Sequence, residues 1–258
     1  MKVILFLFTL VLSFNLFAQT NKDKYHFFEL KVYEYSSLEQ EKVIDEFLSS
    51  SFLPFLHKKG RSKVGIFSNY GNDTSAIKKI YVLIPHKSLN EIPVLQKAFF
   101  QDKEYMAIGK NYVDASSSQP AYNRITTYIL EGFRFAPNLM LPNLKSGNND
   151  RVYELRSYES ASEKKYWKKV EMFNEGGEVD LFARLNFNAI FYAEVISGPT
   201  MPNLMYMTSF ENMNDRNEHW KVFSNDPKWK ELLSMKEYDQ TVSKNVTSFL
   251  KAKSYSDY

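Results

Sequence analysis

Apolar and polar positions along the chain alternate in two rhythms, and the order of the rhythms repeats. Over Phe27–Tyr35, Phe28, Leu30 and Val32 share one face while Glu29, Lys31 and Tyr33 share the other. A period of two is that of a strand. The period then lengthens, and Val43, Ile44, Phe47 and Leu48 form the single stripe of an amphipathic helix. Strands at 63–69 and 79–84, a second helix and a strand at 124–130 complete the series. It then starts again with a strand at 152–158 and a helix whose stripe is Tyr166, Trp167, Val170 and Phe173. Strands follow at 188–196 and 204–210. A helix opens at Asp226-Pro227, a capping carboxylate followed by a residue that needs no N–H there. A strand at 245–251 closes the second series.

The repetition extends to residue type. Phe28-Glu29-Leu30-Lys31-Val32-Tyr33-Glu34 parallels Tyr153-Glu154-Leu155-Arg156-Ser157-Tyr158-Glu159, an offset of 125. Ile66-Phe67 parallels Ile190-Phe191, and Ile80-Tyr81-Val82 parallels Met205-Tyr206-Met207. Phe99, Asp102 and Tyr105 parallel Phe223, Asp226 and Trp229, and Ile125 to Ile129 parallels Val246 to Leu250. Ser37-Leu38-Glu39-Gln40 and Ser160-Ala161-Ser162-Glu163 both read as capping boxes. Six matches in one order indicate a duplication. The units are 25–136 and 151–258, joined by the Pro-, Asn- and Gly-rich linker 137–150. Each unit has the strand–helix–strand–strand–helix–strand order of the ferredoxin-like fold. Such a sheet carries helices on one face and needs a cover on the other. The predicted fold is α+β, tandem ferredoxin-like units whose sheets face one another as an intrachain dimeric α/β-barrel. The alternative pairs each unit with a second chain; the short linker favours the first.

Residues 1–18 change the picture of where the protein works. Lys2 precedes an apolar run to Phe17, Ala18 ends it, and Gln19-Thr20-Asn21-Lys22 is polar. That order is a secretory signal peptide cleaved after Ala18, and the run is shorter than a span of about 20 residues requires. The expected location is periplasmic or extracellular, with no stable membrane insertion after cleavage. The chain has no cysteine, which excludes a disulfide scaffold, a zinc ribbon and a thiol nucleophile. Its 33 Lys+Arg against 30 Asp+Glu give +3, too balanced for a nucleic-acid partner. Stability must then come from packing, and 21 Phe, 17 Tyr and 3 Trp supply large areas to bury.

Val152-Tyr153-Glu154-Leu155-Arg156-Ser157-Tyr158 resembles the opening strand motif of the NIPSNAP family. Met172-Phe173-Asn174-Glu175-Gly176-Gly177-Glu178, Ile190-Phe191-Tyr192-Ala193-Glu194 and Pro202-Asn203-Leu204-Met205-Tyr206-Met207 continue the resemblance to its exported bacterial branch, as does Arg216-Asn217-Glu218-His219-Trp220 through Asp226-Pro227-Lys228-Trp229. The first unit is similar only at Glu29-Leu30-Lys31-Val32-Tyr33, with Lys31 in place of Arg, and lacks the Gly-Gly-Glu and Asp-Pro-x-Trp segments. The resemblance implies a dimeric α/β-barrel. It brings no catalytic residues, because the family has none agreed.

Strand alternation supplies the candidate site. With the apolar faces packed under helices, Glu154, Arg156, Tyr158, Tyr192, Glu194 and Tyr206 are expected to face the barrel interior, where Arg156 could hold a carboxylate and Glu194 act as a base. Glu178, in the Gly-Gly-Glu loop, would cap the cleft; the competing reading of that loop is a helix end followed by a helix start. The competing reading of the whole set is charge pairing that fixes the two halves. Trp220, Phe223 and Trp229 read as core. His26, His57, His86 and His219 read as surface residues without metal-ligand spacing. Asn72-Asp73-Thr74 and Asn245-Val246-Thr247 match the glycosylation pattern. No metal and no cofactor is expected. The leading function is binding of a small, partly apolar or anionic ligand in the barrel. The alternatives are a cofactor-free oxygenase or isomerase, and a structural or partner-binding module; a further homodimer stays open.

Overall fold

The computed structural model describes residues 26–72 and 74–258. The leader at 1–18 and Asp73 lie outside the described residues. The first unit runs β1 (Phe27–Tyr35), α1 (Leu38–Phe47), a π-helical turn (Leu48–Phe52), α2 (Leu53–Lys58), β2 (Gly65–Asn69), β3 (Lys78–His86), α3 (Glu91–Gln101), α4 (Lys103–Ile108), α5 (Lys110–Val113) and β4 (Arg124–Gly132). The second runs β5 (Val152–Glu159), α6 (Glu163–Phe173), α7 (Glu178–Arg184), β6 (Ala189–Ser197), β7 (Asn203–Phe210), α8 (Met213–Asn225), α9 (Pro227–Ser234), a 3-10 turn (Lys236–Tyr238) and β8 (Lys244–Ala252).

Eight antiparallel strands close a barrel in the order β1-β3-β2-β8-β5-β7-β6-β4. Within each unit the sheet is the ferredoxin-like one. Two seams join the sheets: β2 to β8, with Phe67 opposite Ala252, and β4 to β6, with Leu130 opposite Val195. The C-terminal tail ties the units further. Lys253 reaches Glu41 at 3.1 Å and Asp45 at 2.9 Å on α1, and the Asp257 carboxylate accepts from the Val64 N–H at 2.7 Å.

Local signals account for the helix starts. Ser37 caps α1 by accepting from the Gln40 N–H, and Asp226 caps α9 with Pro227 at its first position. In the second unit the cap is Ser162, which accepts from the Lys165 N–H, while Ser160 donates instead to the Thr241 carbonyl at 2.7 Å. One member of the expected stripe is misplaced: Trp167 is 59% exposed, whereas Tyr166, Val170 and Phe173 are buried.

Three apolar clusters divide the interior. Two lie between a sheet and its own helices. The third lies between the sheets and contains Phe28, Leu30, Val32, Tyr153, Leu155, Phe191, Ala193 and Met205. The apolar faces of β1, β5 and β6 therefore point into the barrel, and the acid–base–phenol faces point under the helices. This inverts the expected placement. The reason is geometric: an interior enclosed only by strands has no helix to bring a partner to a buried charge, whereas the helices of the second unit carry such partners.

Candidate functional site

One end of the barrel is filled. Phe28 packs on Phe191 with ring centroids 5.8 Å apart, and Phe67 lies 4.9 Å from Tyr153 and 5.6 Å from Tyr258. Leu139 of the linker and the C-terminal Tyr258 are both buried in this cluster. The other end is open. There the inward faces of β1, β3, β4, β5, β7 and β8 enclose a cavity of about 300 Å³. Leu30, Val32, Leu155 and Met205 form its apolar part, and Tyr81, Thr126, Tyr128, Ser157 and Ser248 supply hydroxyls. Its rim carries two ion pairs, Glu34–Lys79 at 3.3 Å and Glu159–Lys244 at 3.2 Å. Pro199 and Thr200, between β6 and β7, close one side. Gly198 lets this turn approach: a Cβ there would lie 2.9 Å from the Tyr128 ring.

All seven candidate residues gather instead on the helix side of the second sheet. Glu154 is wholly buried. It accepts from Arg156 Nε at 2.7 Å, from Arg216 Nε at 2.9 Å and Nη2 at 2.7 Å, and from the Trp220 indole N–H at 2.7 Å. Arg156 also donates to the Tyr158 hydroxyl at 3.1 Å, which shares a 2.7 Å hydrogen bond with Tyr206. Burial pushes the Glu154 carboxyl up, but the Arg216, Arg156 and Trp220 contacts outweigh it and hold the group below the usual carboxylate range. Burial drives the Tyr206 phenol well up, with Tyr158 adding to the effect.

Glu178 does not cap a cleft. Gly177, at φ 85°, starts α7, and Glu178 is its first residue. Its carboxylate is 1% exposed and takes a 2.7 Å hydrogen bond from Lys169. The segment is a helix end followed by a helix start. Burial raises the Glu178 carboxyl, with Lys169 and Arg156 opposing incompletely. Glu194 meets the Tyr166 hydroxyl at 2.8 Å; burial raises it, the Tyr166 bond lowers it, and Glu131 nearby raises it. Tyr192 is buried among Phe133, Phe173 and Phe182. Every charge in this set has a partner among the described residues, which is the arrangement of a packing network; Tyr158 and Lys169 also line a shallow cavity of about 300 Å³ beside Trp229 and Tyr238.

Sequence reasoning missed Arg216 and Lys169, the helix residues that complete the network. Their signal was charge at stripe positions of α8 and α6. The sequence reads Trp220 as core, and its ring does pack there, but its N–H serves Glu154. His86 is wholly buried rather than superficial, with Nε2 3.5 Å from Glu29 and, among the described residues, no shorter partner on either ring nitrogen. A buried strand end explains it: His86 is the last residue of β3, opposite Phe27. His57 is exposed as expected, in the last turn of α2 and 3.1 Å from Asp257. Among the described residues, no group of three His, Asp or Glu is placed to hold a metal ion, and no helix is long and apolar enough to cross a membrane.

Residues 153–257 match the family model described as NIPSNAP. None of the curated proteins compared with the chain matches it. Among solved structures, a candidate monooxygenase of Lactobacillus acidophilus NCFM aligns with 88% of this chain and 94% of its own, at 11% identity and a TM-score of 0.56. A second candidate monooxygenase, from Fusobacterium nucleatum subsp. nucleatum, aligns with 88% and 92% at 4% identity and the same TM-score of 0.56. These two share the fold. A NIPSNAP family protein of Agrobacterium tumefaciens aligns with 45% of this chain and 98% of its own, at 16% identity and a TM-score of 0.38.

Proposed function

Because residues 153–257 are a NIPSNAP-family domain in one half of a closed barrel, we propose that the barrel's open end binds a small, partly apolar ligand. The observation that carries this reading is the cavity of about 300 Å³, open in a barrel whose other end is packed solid. Its size is at the lower limit of ligand pockets, about 300–1,000 Å³. Its apolar floor suits a short chain or a single ring, its hydroxyls suit an oxygen function, and Lys79 and Lys244 on the rim suit a carboxylate end. Arg156 has no part in it. The cavity also argues against a purely structural module with a filled interior.

The fold shared with candidate monooxygenases raises an oxygenase or isomerase as the alternative. That chemistry needs a base facing the bound molecule. The two carboxyls that burial pushes up, Glu178 and Glu194, lie under the helices on the opposite sheet face. Glu34 and Glu159, which do line the cavity, are each paired with a lysine at its rim, so binding is the reading the geometry supports first.

Thermal-shift titration with medium-chain and aromatic carboxylates tests the site. At about 100 times Kd a ligand adds about 2.7 kcal/mol, or roughly 5–10 °C for a chain of this size. Ser248→Trp, which fills the cavity from a half-buried wall position, should abolish the shift. Equal shifts in both proteins would place the ligand elsewhere. We further propose export through residues 1–18. Mass spectrometry of the natively produced chain should show a first residue of Gln19; retention of Met1 overturns this.

A further inference from the structure

The two units differ most where they should correspond. With Phe99 aligned to Phe223, Asp102 to Asp226 and Tyr105 to Trp229, the offset across α3 and α8 is 124. Phe99 and Phe223 are both buried under their own sheets, and Asp102 and Asp226 both cap the next helix. The same offset sets Ile92 against Arg216 and Gln96 against Trp220. On the strands, Glu29 corresponds to Glu154 and Lys31 to Arg156.

In the second unit the chain fills this position itself. The Trp220 ring lies 3.8 Å from the Arg156 guanidinium carbon, its N–H meets Glu154, and Arg216 grips the same carboxylate through two nitrogens. In the first unit neither ring nor guanidinium is present. What remains is a cavity of about 240 Å³, lined by Glu29, Lys31, Ile92, Gln96, Phe99 and Phe100 among others. Glu29 is 8% exposed and, among the described residues, accepts one short hydrogen bond, from Lys31 at 3.1 Å, while its other oxygen faces His86 Nε2 at 3.5 Å. Burial pushes its carboxyl up, but His86 and Lys31 together hold it below the usual range. Glu154 accepts four. The carboxylate on the cavity wall therefore retains acceptor capacity that its counterpart has spent.

We propose that this cavity binds a small cationic amine or amidine that carries one flat aromatic ring. The ring takes the place that Trp220 occupies in the second unit, beside the Lys31 ammonium as Trp220 lies beside Arg156. The cationic N–H donors take the place of Arg216 on Glu29. Two cations around one buried carboxylate then recur in both units, one pair built in and the other completed by the ligand. The site is separate from the barrel cavity, on the opposite face of the first sheet, and does not depend on that cavity being a ligand site.

Isothermal titration calorimetry with tryptamine on the purified chain tests the proposal, with indole-3-acetate as the anionic counterpart of similar shape. Saturable tryptamine binding is expected, with indole-3-acetate weaker by about tenfold or more, since a charge-assisted hydrogen bond is replaced by like-charge repulsion. Gln96→Trp places an indole where the second unit has one and should remove tryptamine binding. Gln96 is exposed, so the fold should tolerate it, and unchanged thermal unfolding will confirm that. Ile92→Arg is the second self-filling variant and should act alike. Ser248→Trp, in the barrel cavity, should leave tryptamine binding unchanged, so failure of one site is distinguishable from failure of the other. The proposal is overturned by no saturable binding up to millimolar tryptamine, by indole-3-acetate binding as tightly, or by Gln96→Trp leaving Kd within about twofold.

Discussion

Arg156 and Trp220 are stacked, guanidinium carbon to ring centroid 3.8 Å, and both donate to the same carboxylate, Glu154. A strand and a helix are thus joined through one acid. Removing that acid leaves two guanidiniums facing one another in a largely buried site. Glu154→Ala should therefore destabilise the chain by about 3–5 kcal/mol, read by denaturant unfolding. A loss below 1 kcal/mol would show that Arg156 and Arg216 reach water in the native state.

Arg156→Ala separates packing from binding. It should lower the unfolding temperature yet leave the carboxylate-induced shift of the barrel cavity at its wild-type size. A lost shift would return Arg156 to the ligand site.

Acid should loosen the linker before it opens the barrel. Glu211 accepts from the backbone N–H groups of Lys145, at 2.9 and 3.1 Å, and Ser146, at 2.6 Å. Those bonds pull its carboxyl down to about 2, against an ordinary 4.5. A carboxyl lowered on folding contributes stability that is complete above the ordinary value and is lost as pH falls toward the folded one. Exchange protection of the Lys145 and Ser146 amides should hold above pH 4.5 and fall between that pH and about 2. In Glu211→Gln the protection should start lower and show no such step.

The paired glycines before α7 should not be equivalent. Gly177 has φ 85°, so Gly177→Ala places a Cβ in the left-handed region at about 1–2 kcal/mol. At Gly176 a Cβ would lie 2.5 Å from the Met172 carbonyl oxygen, a backbone atom that cannot swing aside. Gly176→Ala should cost more than Gly177→Ala in equilibrium unfolding; the reverse order would mean that the α6 end relaxes easily.

The strands were legible because alternation and the repeat reinforce each other: β1 starts and ends where its pattern does, at Phe27 and Tyr35. The face assignment was not. Period two states that Glu154 and Leu155 point opposite ways, but not which way faces the barrel, and both faces of this sheet are covered. The deciding information lies 62 residues on, in the charges of α8, and becomes readable only when Arg216 is seen to reach Glu154. The same holds for the cavities. Each arises from what a neighbouring strand or helix omits, as where Gln96 stands in the place that Trp220 takes in the other unit, and omission leaves no mark in a local pattern. The π-helical turn at Leu48–Phe52 gave no sign either, since its Ser-rich sequence reads as a helix end.

The two seams, β2 with β8 and β4 with β6, have a consequence for assembly. Each half finds its mate at a local concentration set by the tether, so closure is independent of how dilute the protein is. Closure also pairs one end of each outer strand across the seams, Phe67–Asn69 of β2 with Leu250–Ala252 of β8 and Ile129–Gly132 of β4 with Ala193–Ser197 of β6. The border along which a foreign strand could add is thereby shortened, a partial protection against β-aggregation that an open sheet of the same strands would lack.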